Sequence, residues 1–152
     1  MKKIIFFIVV ILTFQGCSWQ EYFVIINQTN SDITIEYEIE QPKSGFAIFD
    51  NRQTIHKLSK NGDIDWNETL EVNDLDTSRF IIKLLLAPNT VVTIGNLSND
   101  TYKKHDQYFI NGRTFNLKNL KILNSKPIIE ITPENFDNFF VKKNGIIALR
   151  LK

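Results

Sequence analysis

The sequence predicts an all-β protein: an antiparallel β-sandwich, Ig-like or similar, with one short helix in its C-terminal half, behind an N-terminal signal helix. Apolar and polar residues alternate with period two in short runs, most regularly over Ile33-Thr34-Ile35-Glu36-Tyr37-Glu38-Ile39, which puts one face on a core and the other in water. Turn-forming clusters separate these runs, and Asn-Gly occurs at Asn61-Gly62, Asn111-Gly112 and Asn144-Gly145. No strand-then-helix alternation recurs along the chain, which excludes a parallel α/β fold.

The chain opens with Met1-Lys2-Lys3, an apolar run from Ile4 to Phe14 interrupted only by Thr13, and then Gln15-Gly16-Cys17. A basic start, an apolar core and a small residue at a cut site are the parts of a secretory signal. A membrane-spanning helix needs ~20 apolar residues, about twice this run. Phe14-Gln15-Gly16-Cys17 resembles the lipobox of bacterial lipoproteins, with an apolar residue three before the cysteine and a small one directly before it. Phe14 and Gln15 depart from the leucine and small residue usual there. The resemblance covers about 17 residues. It implies cleavage after Gly16, a diacylglycerol on Cys17, and usually a further acyl chain on the new amino terminus. Two or more chains anchor a protein stably, whereas one holds it only marginally. Cys17 is the only cysteine, so the domain must fold without an intramolecular disulfide. Ser18 after the cysteine, in place of aspartate, resembles sorting to the outer membrane.

Three segments follow: residues 1–16 as the signal peptide, 17–21 as the acylated cysteine with a short tether, and 22–152 as one β-sandwich domain. Residues 17–152 are enough for a single core, since a chain near 150 residues buries about 70% of its unfolded surface. Loss of Lys2 and Lys3 leaves 16 basic against 17 acidic residues, which gives no basic face for nucleic acid.

Tyr22–Ile26 forms the first strand, closed by Asn27-Gln28-Thr29-Asn30-Ser31, and Ile33–Ile39 the second. Phe46–Phe49 and Thr54–Leu58 flank Asp50-Asn51-Arg52 and suggest a hairpin. A strand at Thr69–Val72 follows. Phe80–Ala87 is the most apolar stretch after the signal; Pro88-Asn89 ends it before Thr90–Ile94. The strongest hairpin signal joins Gln107–Ile110 to Arg113–Leu117 through Asn111-Gly112. Further strands fall at Leu120–Leu123, Ile128–Ile131 and Ile146–Leu151. Thr132-Pro133-Glu134 starts a helix as N-cap, N1 proline and first-turn acid. Its Phe136, Phe139 and Phe140 share a face at i, i+3, i+4, fit to cap a sheet. The Asn-x-Thr-Asn-Ser-Asp segment after the first strand, and Leu86-Ala87-Pro88-Asn89-Thr90-Val91-Val92-Thr93-Ile94, resemble Ig-like or transthyretin-like extracytoplasmic domains. That resemblance is one of pattern, over about half the chain.

Familiar hydrolase chemistry has little to draw on. A serine nucleophile needs a positioned base and an oxyanion hole, and there are two histidines and no Gly-x-Ser-x-Gly. His56 is expected to face solvent beside Lys57, and His105 to lie in the polar loop Lys103-Lys104-His105-Asp106. No catalytic residue, structural metal or cofactor is expected; histidine and cysteine do not cluster at zinc-ligand spacing. From Asn61 to Ser78 the chain carries Asp63, Asp65, Glu68, Glu71, Asp74 and Asp76 and no lysine or arginine. Asp63, Asp65 and Asn67 have the alternate-oxygen spacing of a calcium loop, with Asp74 near its twelfth position; Glu68 stands where an EF-hand has glycine. Trp66 among these carboxylates and amides, in a predicted loop, also suits recognition of sugar or peptide by stacking. Trp19, close to the anchor, is expected at the membrane interface. The four Asn-x-Ser/Thr sequences, at Asn27, Asn67, Asn96 and Asn99, have no glycosylation role behind a bacterial lipobox.

These features point first to a lipid-anchored, non-enzymatic envelope protein that binds or supports a protein or carbohydrate partner. A hydrolase or sugar-processing enzyme using carboxylates of residues 63–76 is the second reading. A periplasmic inhibitor or immunity-type protein is the third.

Overall fold

A computed structural model describes residues 18–70, 76–77, 80–125 and 127–152, with only the backbone of residues 76–77. Gly16, Cys17 and Asp74 therefore lie outside the described residues. The architecture is a sandwich of two sheets. In chain order the strands are β1 (Gln20–Asn27), β2 (Ile33–Ile39), β3 (Phe46–Ala47), β4 (Phe49–Leu58), β5 (Ile64–Leu70), β6 (Asp76–Thr77), β7 (Ile81–Leu86), β8 (Thr90–Ser98), β9 (Arg113–Thr114), β10 (Leu117–Ile122), β11 (Ile129–Ile131), β12 (Val141–Lys143) and β13 (Ile146–Leu151). One sheet runs β12-β13-β1-β8-β4-β5, the other β11-β10-β2-β7-β6, and β3 pairs only with β9. Pairing within the two main sheets is antiparallel except where β1 meets β13, the first and last strands.

The core lies between the sheets. Phe23 and Ile25 of β1, Val92 and Ile94 of β8 and Ile147 and Leu149 of β13 meet Ile35 and Tyr37 of β2, Ile82 and Leu84 of β7 and Leu120 of β10. β2 alternates strictly between buried and half-buried residues, as its sequence requires. β1 does not alternate. Its run Phe23-Val24-Ile25-Ile26 is wholly buried, so the middle of the six-stranded sheet is covered on both faces. Val24, Ile26, Val91 and Ala148 form a second apolar cluster on the outer face, with Tyr22, Leu58, Ile64 and Ile146 packed around it.

The end where β1 begins, here the proximal end, is plugged by aromatic rings. A 3-10 turn (Pro133–Asn135) leads into α1 (Phe136–Phe139). Phe136 is fully buried, stacks on Phe140 at 4.1 Å and meets Phe115 edge-on at 5.0 Å. The chain is engaged before the first predicted strand: Trp19 exchanges backbone and side-chain bonds with Asn99, and Glu21 is buried, its carboxylate taking the Tyr102 N–H at 2.8 Å and the Lys142 ammonium at 2.6 Å.

Two predicted hairpins are replaced by other structures. Residues 107–112 form no strand: Asp100, itself buried, takes the Ile110 N–H at 2.7 Å, and the Asn111 side chain reaches the carbonyls of Ser98 and Asn99. Arg113 and Thr114 pair instead with Phe46 and Ala47. Likewise Phe49–Leu58 is one strand, not two. Asp50-Asn51-Arg52 makes its turn as an excursion within β4, because Phe49 pairs with Gly95 and Thr54 with Thr93, leaving the residues between without partners on β8. The Asp50 carboxylate caps that excursion through the Arg52 N–H at 2.8 Å.

Candidate functional site

The outer face of the six-stranded sheet carries the most developed concavity linked to the distinctive Trp66 segment. Its geometry begins with an irregularity in the β4–β5 hairpin. Lys57 pairs with Asp65 and the adjacent His56 with Thr69, so Trp66, Asn67 and Glu68 bulge out opposite no residue of β4. Asp65 holds the bulge by accepting the Asn67 N–H at 3.1 Å. Glu68 is tied down by Lys57, and its carbonyl lies 3.2 Å from His56 Nδ1. The bulge swings the Trp66 indole back over the sheet, 4.8 Å from the Tyr22 ring and 5.1 Å from that of His56.

This overturns the expectation that His56 faces solvent. Its side chain does point away from the core, but the Trp66 indole lies against it and leaves His56 6% exposed. Nor is Trp66 in a plain loop. It belongs to β5, and the bulge inside that strand was concealed because the polar residues Asp65 and Asn67 that build it read equally well as a loop.

Trp66 is 41% exposed and forms one wall of a groove of about 540 Å³ with Ile64, Asp63 and Gly62. Val141 and Lys143, alternate residues of edge strand β12, form the opposite wall with Asn144; Ile146 and Ala148, alternate residues of β13, form the floor, and Arg150, the next alternate residue, continues it to the rim. Val141 is 68% exposed, so two large apolar side chains face water on either side of a mostly apolar floor. The rim carries Asp63 on one side and Lys143 and Arg150 towards the other.

Of the residues singled out in the sequence, the groove therefore gathers Asp63 and Trp66. Asp65 and Asn67 serve the bulge, Asp63 takes its own backbone N–H to the Ser59 hydroxyl, and Asp74 lies outside the described residues. Among the described residues no three histidine, aspartate or glutamate side chains come together as a metal site. Val141, Lys143 and Arg150 carry no sequence signal that ties them to Trp66, because they sit some 75–85 positions from it and join it only through sheet order.

A second polar cluster binds the loop after β8 to α1. Asp137 accepts the Tyr102 hydroxyl at 2.5 Å and lies 3.0 Å from His105 Nδ1. Burial pushes its carboxyl up, but the hydrogen bonds from Tyr102 and His105 outweigh this and hold it below the usual carboxylate range. Burial, and then the bond to Asp137, raise Tyr102 well above an ordinary phenol. A carboxylate orienting an imidazole is part of hydrolase machinery, yet here both groups are used to clasp two segments together.

Comparison with protein-family models, characterised proteins and solved structures finds no match.

Proposed function

We propose that this is a lipid-anchored binding protein of the bacterial cell envelope, held by acylated Cys17, which takes a segment of a partner protein into the groove on the outer face of its six-stranded sheet. The observation that carries the reading is Trp66. An indole is placed by a dedicated bulge, backed by Tyr22 and His56, and left 41% exposed over an apolar floor. Rigid, half-exposed tryptophan beside a pocket is the kind of residue that dominates binding energy at protein interfaces. Lys143 and Arg150 at the rim favour a segment with apolar anchors next to acidic residues. The lipobox supplies the address. An inhibitor or immunity-type role is one form of the same activity, with a secreted enzyme or toxin as the partner.

The carboxylates of residues 63–70 do not favour the enzymatic reading. Asp65 is spent on the bulge, Glu68 on Lys57, and only Asp63 faces the groove.

A photo-crosslinking amino acid at position 66 or 141, in cells making the protein, tests the proposal. A discrete adduct of one partner is expected from both positions, and none from position 121 on the opposite sheet. The same products from all three positions, or none from 66 and 141, would overturn it.

A further inference from the structure

Besides the groove, the proximal end bears a group of exposed apolar side chains. Tyr108 is 86% exposed, Ile110 70% and Trp19 50%, and the three line one shallow hollow with Lys103. Phe46, 67% exposed, joins the same end: its N–H bonds the Gly112 carbonyl at 2.8 Å, two residues on from Ile110.

This presentation is built. Buried Asp100 takes the N–H groups of Thr101 and Ile110, and its carbonyl receives the Trp19 indole N–H at 3.2 Å. The segment is thereby held so that Phe109 turns into the core while its neighbours Tyr108 and Ile110 point out. Carrying two exposed apolar residues around one buried phenylalanine has no benefit in water. Gly45 and Gly112 allow the close approach that fixes Phe46 there, since a Cβ on Gly45 would lie 1.9 Å from the Gly112 oxygen.

We infer that this face rests on the lipid bilayer, with Trp19, Tyr108 and Ile110 in the interfacial layer and Lys103 and Arg113 towards the phosphates. The inference rests on the anchoring reading of Cys17. Trp19 lies two positions after Cys17, so the lipid cannot lie more than ~7 Å of chain from this end. Tryptophan and tyrosine favour the interface, where a ring meets hydrocarbon and a polar atom meets water. The nearby charges fit as well: Asp100 is buried and Asp106 is paired with Lys104, which leaves Lys103 for anionic headgroups, together with the remaining N–H groups of the Arg113 guanidinium, which lies over the Phe46 ring and donates one bond to the Ala47 carbonyl. A lipid anchor alone is a swivel. A second contact through residues 108–110 fixes β1 pointing away from the membrane and leaves the groove open to the side.

The test uses the mature acylated protein in vesicles of phosphatidylethanolamine and phosphatidylglycerol containing lipids brominated near the top of the acyl chains. In a background of Trp19→Phe and Trp66→Phe, single reporters are Tyr108→Trp and, at the distal turn of the β4–β5 hairpin, Lys60→Trp; a Trp66→Phe protein reports Trp19. Emission at 108 and 19 is expected to be quenched and blue-shifted, and at 60 unchanged. Quenching at 19 without quenching at 108 overturns the inference while leaving the anchor intact. Mass spectrometry beforehand separates the other failure: an unmodified Cys17 refutes the anchor, and the inference falls with it.

Discussion

Asp137 shows how single residues hold this domain together without disulfides. Its two oxygens serve Tyr102 on one side and His105 on the other, joining the loop after β8 to α1. Because its folded pKa lies below the ordinary 3.8, the carboxylate contributes stability at pH values above 3.8, and that contribution is lost as pH falls through the lowered folded value. Asp137→Asn, which mimics the protonated acid, should be less stable than wild type at pH 7. The gap should close as the pH drops below 3.8, measured as denaturant midpoints across the range; a gap that stays constant with pH assigns the loss to something other than the charge. None of this was legible in the sequence. Tyr102, His105 and Asp137 were an aromatic residue, a loop histidine and an acid in a short helix, separated by up to 35 positions. Asn116 escaped in the same way. It is 4% exposed and makes four hydrogen bonds, accepting from the Ile48 and Phe49 N–H groups and donating to the Glu40 and Phe49 carbonyls, yet in sequence it is one asparagine among many. A buried amide is recognised by its partners, and those lie 67–76 residues away.

At the scale of elements, strands were the legible part and their connections were not. β2, β7, β8, β10 and β13 lie within a few residues of where alternation and apolar runs put them, because burying one face imposes the period. Turn chemistry is more permissive. All three Asn-Gly pairs looked alike, but only at Asn144-Gly145 do both residues take positive φ, 49° and 77°, as a type I′ turn requires; this is the turn between β12 and β13. At Asn111-Gly112 the side chains of Asp100 and Asn111 offer the backbone another set of partners, and the hairpin is lost to them. The same competition turned Asp50-Asn51-Arg52 and Asp65-Trp66-Asn67 into excursions inside strands. Gly145→Ala should therefore cost about 1–2 kcal/mol, the penalty of a Cβ in the left-handed region. Thermal unfolding would measure that cost, and amide exchange at Lys143 and Ile146 would show the opening of the hairpin that forms the far wall of the groove. An unchanged melting temperature with unchanged exchange would mean that the turn does not set the hairpin.

Taken whole, the molecule is a sandwich with two unlike outer faces, and the groove lies on the face that departs from the rule. The five-stranded sheet is solvated on its outer side: Glu38 pairs with Lys118, Lys121 with Glu130, and the outward residues of β7, Ile81, Lys83 and Leu85, are exposed. On the six-stranded sheet the outward residues Val24 and Ile26 are fully buried, with Tyr22, Leu58, Ile64 and Ile146 packed against their cluster. A sheet needs only one apolar face to make a sandwich core, so the second apolar face is extra, and it forms the ground beside which Trp66 and Val141 stand. The continuous run Phe23-Val24-Ile25-Ile26 carried this information in the sequence, since a strand open to water on one side would alternate. What covered the run was not legible, because Leu58, Ile64 and Ile146 are far from it in sequence and reach it only through the sheet order. The asymmetry sets a direct comparison between two outward-facing apolar residues. Val24→Asp should cost about 4 kcal/mol or more, a large part of the 5–15 kcal/mol that holds a typical domain, because a carboxylate there is buried without a partner. Leu85→Asp, on the outer face of the other sheet and 37% exposed, should cost under about 1 kcal/mol. Denaturant unfolding of the two variants decides it. Equal losses would mean that the two outer faces are equally solvated and that the second apolar layer is not part of the fold's stability.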